Sequence, residues 1–354
     1  MGWENLRGQD AAVAALRRDL ASGRVAHAYV FHGPPGAGKG TAARLFAQAL
    51  QCEAPEAERP CGACLPCRKV AGGVHPDVVT VRPEMDRSGK PKRSIGIDAV
   101  REQVLARAYL RPQEGRRQAF ILDNSDEPVT VDAFSALLKT LEEPPPDTLL
   151  LLLTPNLQGL PATIVSRCRK VRFRALARAD QRAVLASLQE AGRWEGEGME
   201  PDEVISLTMG RLGLALEGGA EALARRREAA LEFIEGLSAP PGKADEVQLL
   251  LLAGGQVAGG EASREAAVRF LEMLRGLLRD ILILQAAPGA VEPWHADLEE
   301  TLAGIGRRWG VNGLTEALDR VEAALHDVGV VNTNPALTLE ALVFALRATV
   351  ALNA

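Results

Sequence analysis

No stretch of this 354-residue sequence approaches the roughly 18 to 20 consecutive apolar residues that would cross a bilayer. Its start, MGWENLRGQD, lacks the basic and apolar blocks of a secretory signal. No membrane partner is therefore expected, and a cytoplasmic location is. Positive charge is not in excess either: 41 Lys and Arg stand against 46 Asp and Glu, a formal net charge of -5. A free-standing nucleic-acid binder is usually basic or carries a dominant basic stripe, so any DNA contact should be local or shared with partners. Cysteine is scarce, with five in all, yet four of them fall between Cys52 and Cys67. In a reducing compartment that clustering points to a metal before disulfides. Cys168 stands alone, and no convincing internal repeat is present.

What is present is an ordinary globular composition, 47% hydrophobic and 25% charged, in a chain long enough for two or three domains. AHAYVF (26–31) reads as a strand, and GPPGAGKGT follows it at once. TAARLFAQAL then places apolar residues at helical spacing. Further strands are expected at DVVTV (77–81), AFILD (119–123) and TLLLLLT (148–154), with helices near 97–110 and over DAFSALLKTLEEP. Strands alternating with helices imply a parallel sheet covered on both faces, and TLLLLLT has the nearly unbroken apolarity of a central strand. Beyond about residue 175 β-prone runs give way to amphipathic helices, broken by SAPPGK near 237–243 and by a glycine-rich loop at 253–263. The expected organisation is an α/β P-loop domain over 1–175 and helical domains over 176–240 and 241–354.

The strand–turn–helix context makes Gly33, Pro34, Gly36, Gly38, Lys39, Gly40 and Thr41 a candidate nucleotide-binding loop. Small glycines let successive backbone N–H groups converge on phosphate at a helix N-terminus, and Lys39 adds positive charge. Where Ser or Thr usually follows the Lys to hold magnesium, this chain has Gly40, with Thr41 one place later. The same GKGT form is also seen in adenylate kinase loops, and a loop kept only for its turn is a further alternative. A hydrolytic site normally follows its second strand's Asp with a Glu that orients water. Here Asp123 is followed by Asn124, which accepts no proton, and Asp126 and Glu127 fall past the strand end. Nucleotide hydrolysis by the chain itself should be slow or absent.

Cys52, Cys61, Cys64 and Cys67 form C-x8-C-x2-C-x2-C, whose two tight steps let four thiolates converge on one tetrahedral ion. The polar, Pro- and Gly-rich segment between them cannot build a core, so a metal gives it a reason to be ordered. Four thiolates leave no open position for water, so structural Zn2+ is expected. His75 either competes as a ligand or caps the neighbouring helix or strand.

The segment DAFSALLKTLEEPPPDTLLLLLTPNLQGLPATIVSRC resembles clamp-loader subunits of the AAA+ family along its whole length. GWENLRGQD, GRVAHAYVFHGPPGAGKG, the four-cysteine module, IGIDAVREQV and NTNPALTLEALVFAL extend the resemblance over nearly the entire chain, most weakly between 240 and 325. It implies an AAA+ domain with a parallel sheet and zinc module, a small helical lid domain and an all-α collar used for assembly. It further implies that the SRC arginine, Arg167, reaches as an arginine finger into the next subunit's ATP site, and that Thr154 with Asn156 sits where the terminal phosphate is sensed. ATP or ADP with Mg2+ is the nucleotide the family binds. The implied partners are gamma/tau and delta subunits, the sliding clamp, and primed DNA through the assembled complex. Hydrolysing members carry a further Arg in a G-S-x-R-like helix; here TMGRLGLAL places Gly213 at that position. The two departures, Asn124 and Gly213, agree with a member that does not hydrolyse ATP and disagree with the gamma/tau type, although Lys39 is retained.

Overall fold

A computed structural model describes residues 2–85, 92, 94–123, 129–194, 198–238, 249, 261–331 and 333–353. The chain divides into two compact units, Met1–Val184 and Leu185–Ala354.

The first unit is built on five parallel strands, β1 (Ala28–His32), β2 (Val78–Thr80), β3 (Gln118–Asp123), β4 (Thr148–Thr154) and β5 (Arg169–Arg172), in the order β2-β3-β4-β1-β5. Every residue of the central β4 is buried, as its unbroken apolarity requires. Because side chains alternate across a strand, the sheet feeds two cores. Tyr29, Phe31, Ile121, Leu149 and Leu151 lie in one, with Leu16 of α1 (Asp10–Ala21) and Phe46 of α2 (Lys39–Gln51). Val30, Phe120, Leu122, Leu150 and Leu152 lie in the other. That second core is covered by Val100 from the helical stretch Ile97–Ala108, and by Leu137 and Ile164 from two helices named below. Each such side chain, fully buried, contributes about 1.5–3 kcal/mol.

Among the described residues this unit also holds the α-helices α3 (Leu65–Ala71), α4 (Ile97–Val100, running on through a wide turn to Ala108), α5 (Val131–Glu142) and α6 (Ala162–Val165). The next, α7 (Arg178–Glu190), contains the division between the two units. Thr130 caps α5, its hydroxyl accepting from the Ala133 N–H. In β5 and just after it, Val171 and Phe173 turn inward while Arg172 and Arg174 stay exposed. The second strand covers Val78–Thr80 of DVVTV, and the flanking Asp77 carbonyl and Val81 N–H still bond to Ala119 and Ile121 of β3. Asp77 also serves as an anchor: its buried carboxylate accepts the backbone N–H groups of Gln113, Glu114 and Gly115 at 2.7, 2.8 and 2.7 Å.

The second unit is helical among the described residues: α8 (Pro201–Leu207), α9 (Gly213–Gly218), α10 (Ala220–Ser238), α11 (Glu261–Ala286), α12 (Glu299–Gly306), α13 (Gly310–His326) and α14 (Pro335–Asn353). One core joins Phe233 of α10, Phe270 of α11, Leu314 of α13 and Leu346 of α14 with Trp309. The Trp309 indole N–H donates to Ser238 Oγ at 2.6 Å, so the last residue of α10 is tied into that core. Most of SAPPGK and of the glycine-rich loop lies outside the described residues.

The Asp77 anchor has a measurable consequence. Burial pushes its carboxyl up, but the three backbone donors outweigh burial and hold it below its ordinary value. Its stabilising contribution is therefore complete above the unfolded-state value, about pH 4, and is lost as pH falls through the lower folded-state value. Asp77→Asn leaves the three donors incompletely satisfied and should cost about 1–3 kcal/mol at neutral pH. Urea unfolding at neutral and strongly acidic pH checks this, with the difference from wild type shrinking in acid.

Candidate functional site

Parallel strands carry all their C-terminal ends to one edge of the sheet, and the candidate nucleotide residues collect there. His32 of β1 pairs with Thr154 of β4, and Asp123 of β3 pairs with Leu153. The loop leaves β1 at Gly33, whose N–H reaches the Thr154 carbonyl at 3.3 Å. A Cβ on Gly33 would lie 2.3 Å from the Phe173 carbonyl oxygen, so the close approach of the segment after β5 requires glycine. Gly38 has φ +85, a left-handed turn that aims α2 back across the loop. Pro34 and Gly36 form the exposed crest.

Lys39 opens α2 with its side chain buried and its ammonium donating to the carbonyls of Gly33 at 2.9 Å and Pro34 at 3.0 Å. The cation is thus held at the N-terminus of a 13-residue helix, where backbone N–H groups and the helix dipole favour an anion. His32 is held below the usual imidazole value by burial first and then by Arg172 and Lys170. A Cβ at Gly40 would stand 3.7 Å from Asp123 Oδ2, so the residue that usually supplies a magnesium hydroxyl borders this carboxylate but lacks the hydroxyl. Thr41 is half-buried one position on. Thr154 is fully buried, and its hydroxyl donates to the Asn156 carbonyl at 2.7 Å. The loop, Asp123 and Thr154 are therefore brought together; Asn124, Asp126 and Glu127 lie outside the described residues.

The four cysteines also converge. Cys52 follows the last turn of α2, Cys64 is the N-cap of α3 and Cys67 lies within α3. All four Sγ atoms lie within 4.8 Å of one another, with Cys61 to Cys67 and Cys64 to Cys52 at 4.0 Å. Tetrahedral M–S bonds of about 2.3 Å put sulfurs about 3.8 Å apart, whereas a disulfide needs about 2.05 Å. The donor set therefore fits a metal ion. Backbone N–H groups of Cys61 and Cys64 point at Cys52 Sγ and Cys61 Sγ, both at 3.4 Å, the polarity that supports thiolates. Such N–H bonds, from Cys64 and Ala63, lower the Cys61 thiol to about 6. Burial is the largest influence on Cys67 and raises it, an opposition that a cation among the four sulfurs resolves. Gln48 of α2 donates its amide to the Cys67 carbonyl at 2.8 Å, fastening α3 to α2. His75 is not part of this group; its Nδ1 accepts the Asp77 N–H at 3.1 Å, a cap at the start of β2.

Arg167 is not brought to the nucleotide edge. It lies between α6 and β5, and β5 begins at Arg169, which pairs with Tyr29, so Arg167 sits near the N-terminal edge of the sheet. Four strand residues separate that level from the loop, about 13 Å along the strand direction. Arg169 anchors the strand start to Asp19 of α1 at 2.8 Å. The Arg167 guanidinium meets Glu142, the last residue of α5, at 2.7 Å. Sequence reasoning had no role for Glu142, Gln48 or Gln9, because each acts through a partner with no periodic or short-range relation to it; Gln9 exchanges two hydrogen bonds with the Arg174 backbone.

In sequence the chain is similar to subunits of DNA polymerase III. The family model described as DNA polymerase III, delta subunit, matches residues 8–177. DNA polymerase III subunit tau of Escherichia coli (strain K12) is 32% identical over 317 residues, 85% of this chain and 46% of that protein. DNA polymerase III subunit delta' of Pseudomonas aeruginosa is 34% identical over 220 residues, 60% of each. A crystal structure of a DNA polymerase III gamma subunit-related protein from Thermotoga maritima aligns over 95% of this chain and 99% of its own, at 17% identity and TM-score 0.48. The chain thus spans about half the length of the tau relative and 60% of the delta' relative.

The thiolate cluster is directly testable. Elemental analysis should find about one metal ion per chain. Cys64→Ser should lower that occupancy and the melting temperature together, and full occupancy with unchanged stability would contradict the four-thiolate site.

Proposed function

We propose that this chain is a clamp-loader subunit of DNA polymerase III, a reading supported by its likeness to such subunits, and that it is of the delta-prime kind: a subunit that serves a neighbour's ATP chemistry and does little of its own. The observation that carries this reading is the separation of Arg167 from the chain's own phosphate loop by the length of a parallel strand. A guanidinium at the opposite edge cannot neutralise phosphoryl charge in its own site, but it can project toward an adjoining one. There its planar fork would stabilise charge developing on the transferred phosphoryl group.

The chain's own loop fits ATP or ADP with Mg2+ through Gly33, Gly36, Gly38, Lys39 and Thr41, with Asp123 and Thr154 beside it. The bound nucleotide would supply the phosphoanhydride whose state the ring reads. The loop lacks a hydroxyl at Gly40, and the position of the second family arginine is Gly213, where an added Cβ would meet nothing within 4 Å. Packing does not force glycine there, so the missing cation is not explained by crowding. Neighbouring Arg211 is committed to Glu272, with hydrogen bonds of 3.0 and 2.9 Å.

The metal is Zn2+, a structural ion held by Cys52, Cys61, Cys64 and Cys67. The division into an AAA+ domain (1–175), a lid (176–240) and an oligomerising collar (241–354) belongs to the same proposal. So do the partners: gamma/tau and delta subunits, the sliding clamp, and primed DNA contacted through phosphates by the assembled ring. A second reading, an ATP-hydrolysing gamma/tau-type subunit, is favoured by the retained Lys39 and by the tau relative.

Arg167→Ala should leave the reconstituted ring assembled while lowering turnover at the adjoining ATP site, by roughly 10³-fold if a full finger is lost. Arg167→Lys should restore little, because an ammonium lacks the fork. DNA-stimulated ATPase of the reconstituted ring provides the measurement, and unchanged turnover would remove the finger assignment.

A further inference from the structure

The geometry points to Glu142 as the positioning residue for the Arg167 guanidinium, an inference that rests on the finger reading above. Arg167 stands in a short connection between α6 and β5, on a long side chain that would otherwise sample many rotamers. Its own chain removes that freedom from two sides. Nη1 donates to the Thr163 carbonyl at 3.0 Å and lies 3.5 Å from Ser166 Oγ, and Nη2 donates to Glu142 Oε1 at 2.7 Å. A guanidinium has five N–H groups in a planar fork. Three at most are engaged here, which leaves the Nε–H and one Nη2–H for an incoming anion.

The Glu142 and Arg167 side chains are 51% and 36% exposed, so solvent screens their attraction and the pair adds little to folding. What the pair supplies is direction. Glu142 is the C-terminal residue of α5, a helix packed on the sheet through Phe134 and Leu137. The carboxylate is therefore fixed to the rigid part of the unit, and it aims the guanidinium from there. Among the described residues Arg167 forms its ion pair with Glu142 and not with Glu143, the next acidic residue, so the sequence neighbour does not duplicate the hold. Small errors in placing a group against the reacting phosphoryl cost rate far more than they cost stability.

The test uses the reconstituted ring with three variants compared with wild type. Glu142→Ala should lower kcat for DNA-stimulated ATP hydrolysis by about tenfold while leaving KM for ATP within about twofold, since the lost property is alignment and not binding. Assembly and the melting temperature of the isolated variant should match wild type. Glu142→Gln, which keeps an acceptor oxygen at the same reach, should retain at least about half of kcat. A merely structural residue would show neither the kcat-specific loss nor the rescue. If Arg167→Ala abolishes turnover but Glu142→Ala does not change it, or if Gln fails as badly as Ala, the positioning role is overturned and the finger stands. If Arg167→Ala itself is without effect, the finger reading fails and the role of Glu142 goes with it.

Discussion

A sheet whose strands all run one way has two chemically different edges, and the placement of every candidate group follows from that. At the C-terminal edge, strand ends release the phosphate loop, Asp123 and Thr154 side by side, because β1, β3 and β4 are adjacent and in register. At the other edge the chain enters β5, and Arg167 is carried there because it precedes that strand. A single antiparallel reversal of β5 would have brought the arginine to its own loop. The parallel arrangement keeps it at the other edge, away from that loop.

The helix that begins at the loop ties the second candidate centre to the first. α2 starts with Lys39 and its last turn leads directly into Cys52. Gln48, on the same helix, holds the carbonyl of Cys67. The four-cysteine module is therefore a fixture at the far end of the helix that the loop opens, and Trp3 adds a third tie, its indole N–H donating to the Arg59 carbonyl within the module at 3.0 Å. Four sulfur ligands around one metal ion would leave no open position and would supply order, not chemistry. Order is what this segment needs, since the residues between Cys52 and Cys61 contribute no apolar side chain to either core.

Much of this was legible before any coordinates. The run TLLLLLT states its two-sided burial in its composition, and GPPGAGKGT between a strand and an amphipathic stretch states its direction. The cysteine spacing does the same, because two-residue steps are short enough to constrain sulfur positions locally. What could not be read are contacts between residues distant in sequence. Glu142 and Arg167 are 25 residues apart, Gln48 and Cys67 are 19 apart, and Asp77 serves amide groups 36 to 38 residues away. Such pairs carry no periodicity.

Possession of a phosphate loop and hydrolysis at it are separate properties. Phosphate release by the isolated chain, at saturating ATP and Mg2+ and then again after addition of the hydrolysing subunit, tests that separation most directly. The expected result is silence from the chain alone, with turnover appearing only in company and depending on Arg167. Steady turnover by the purified chain alone would contradict it.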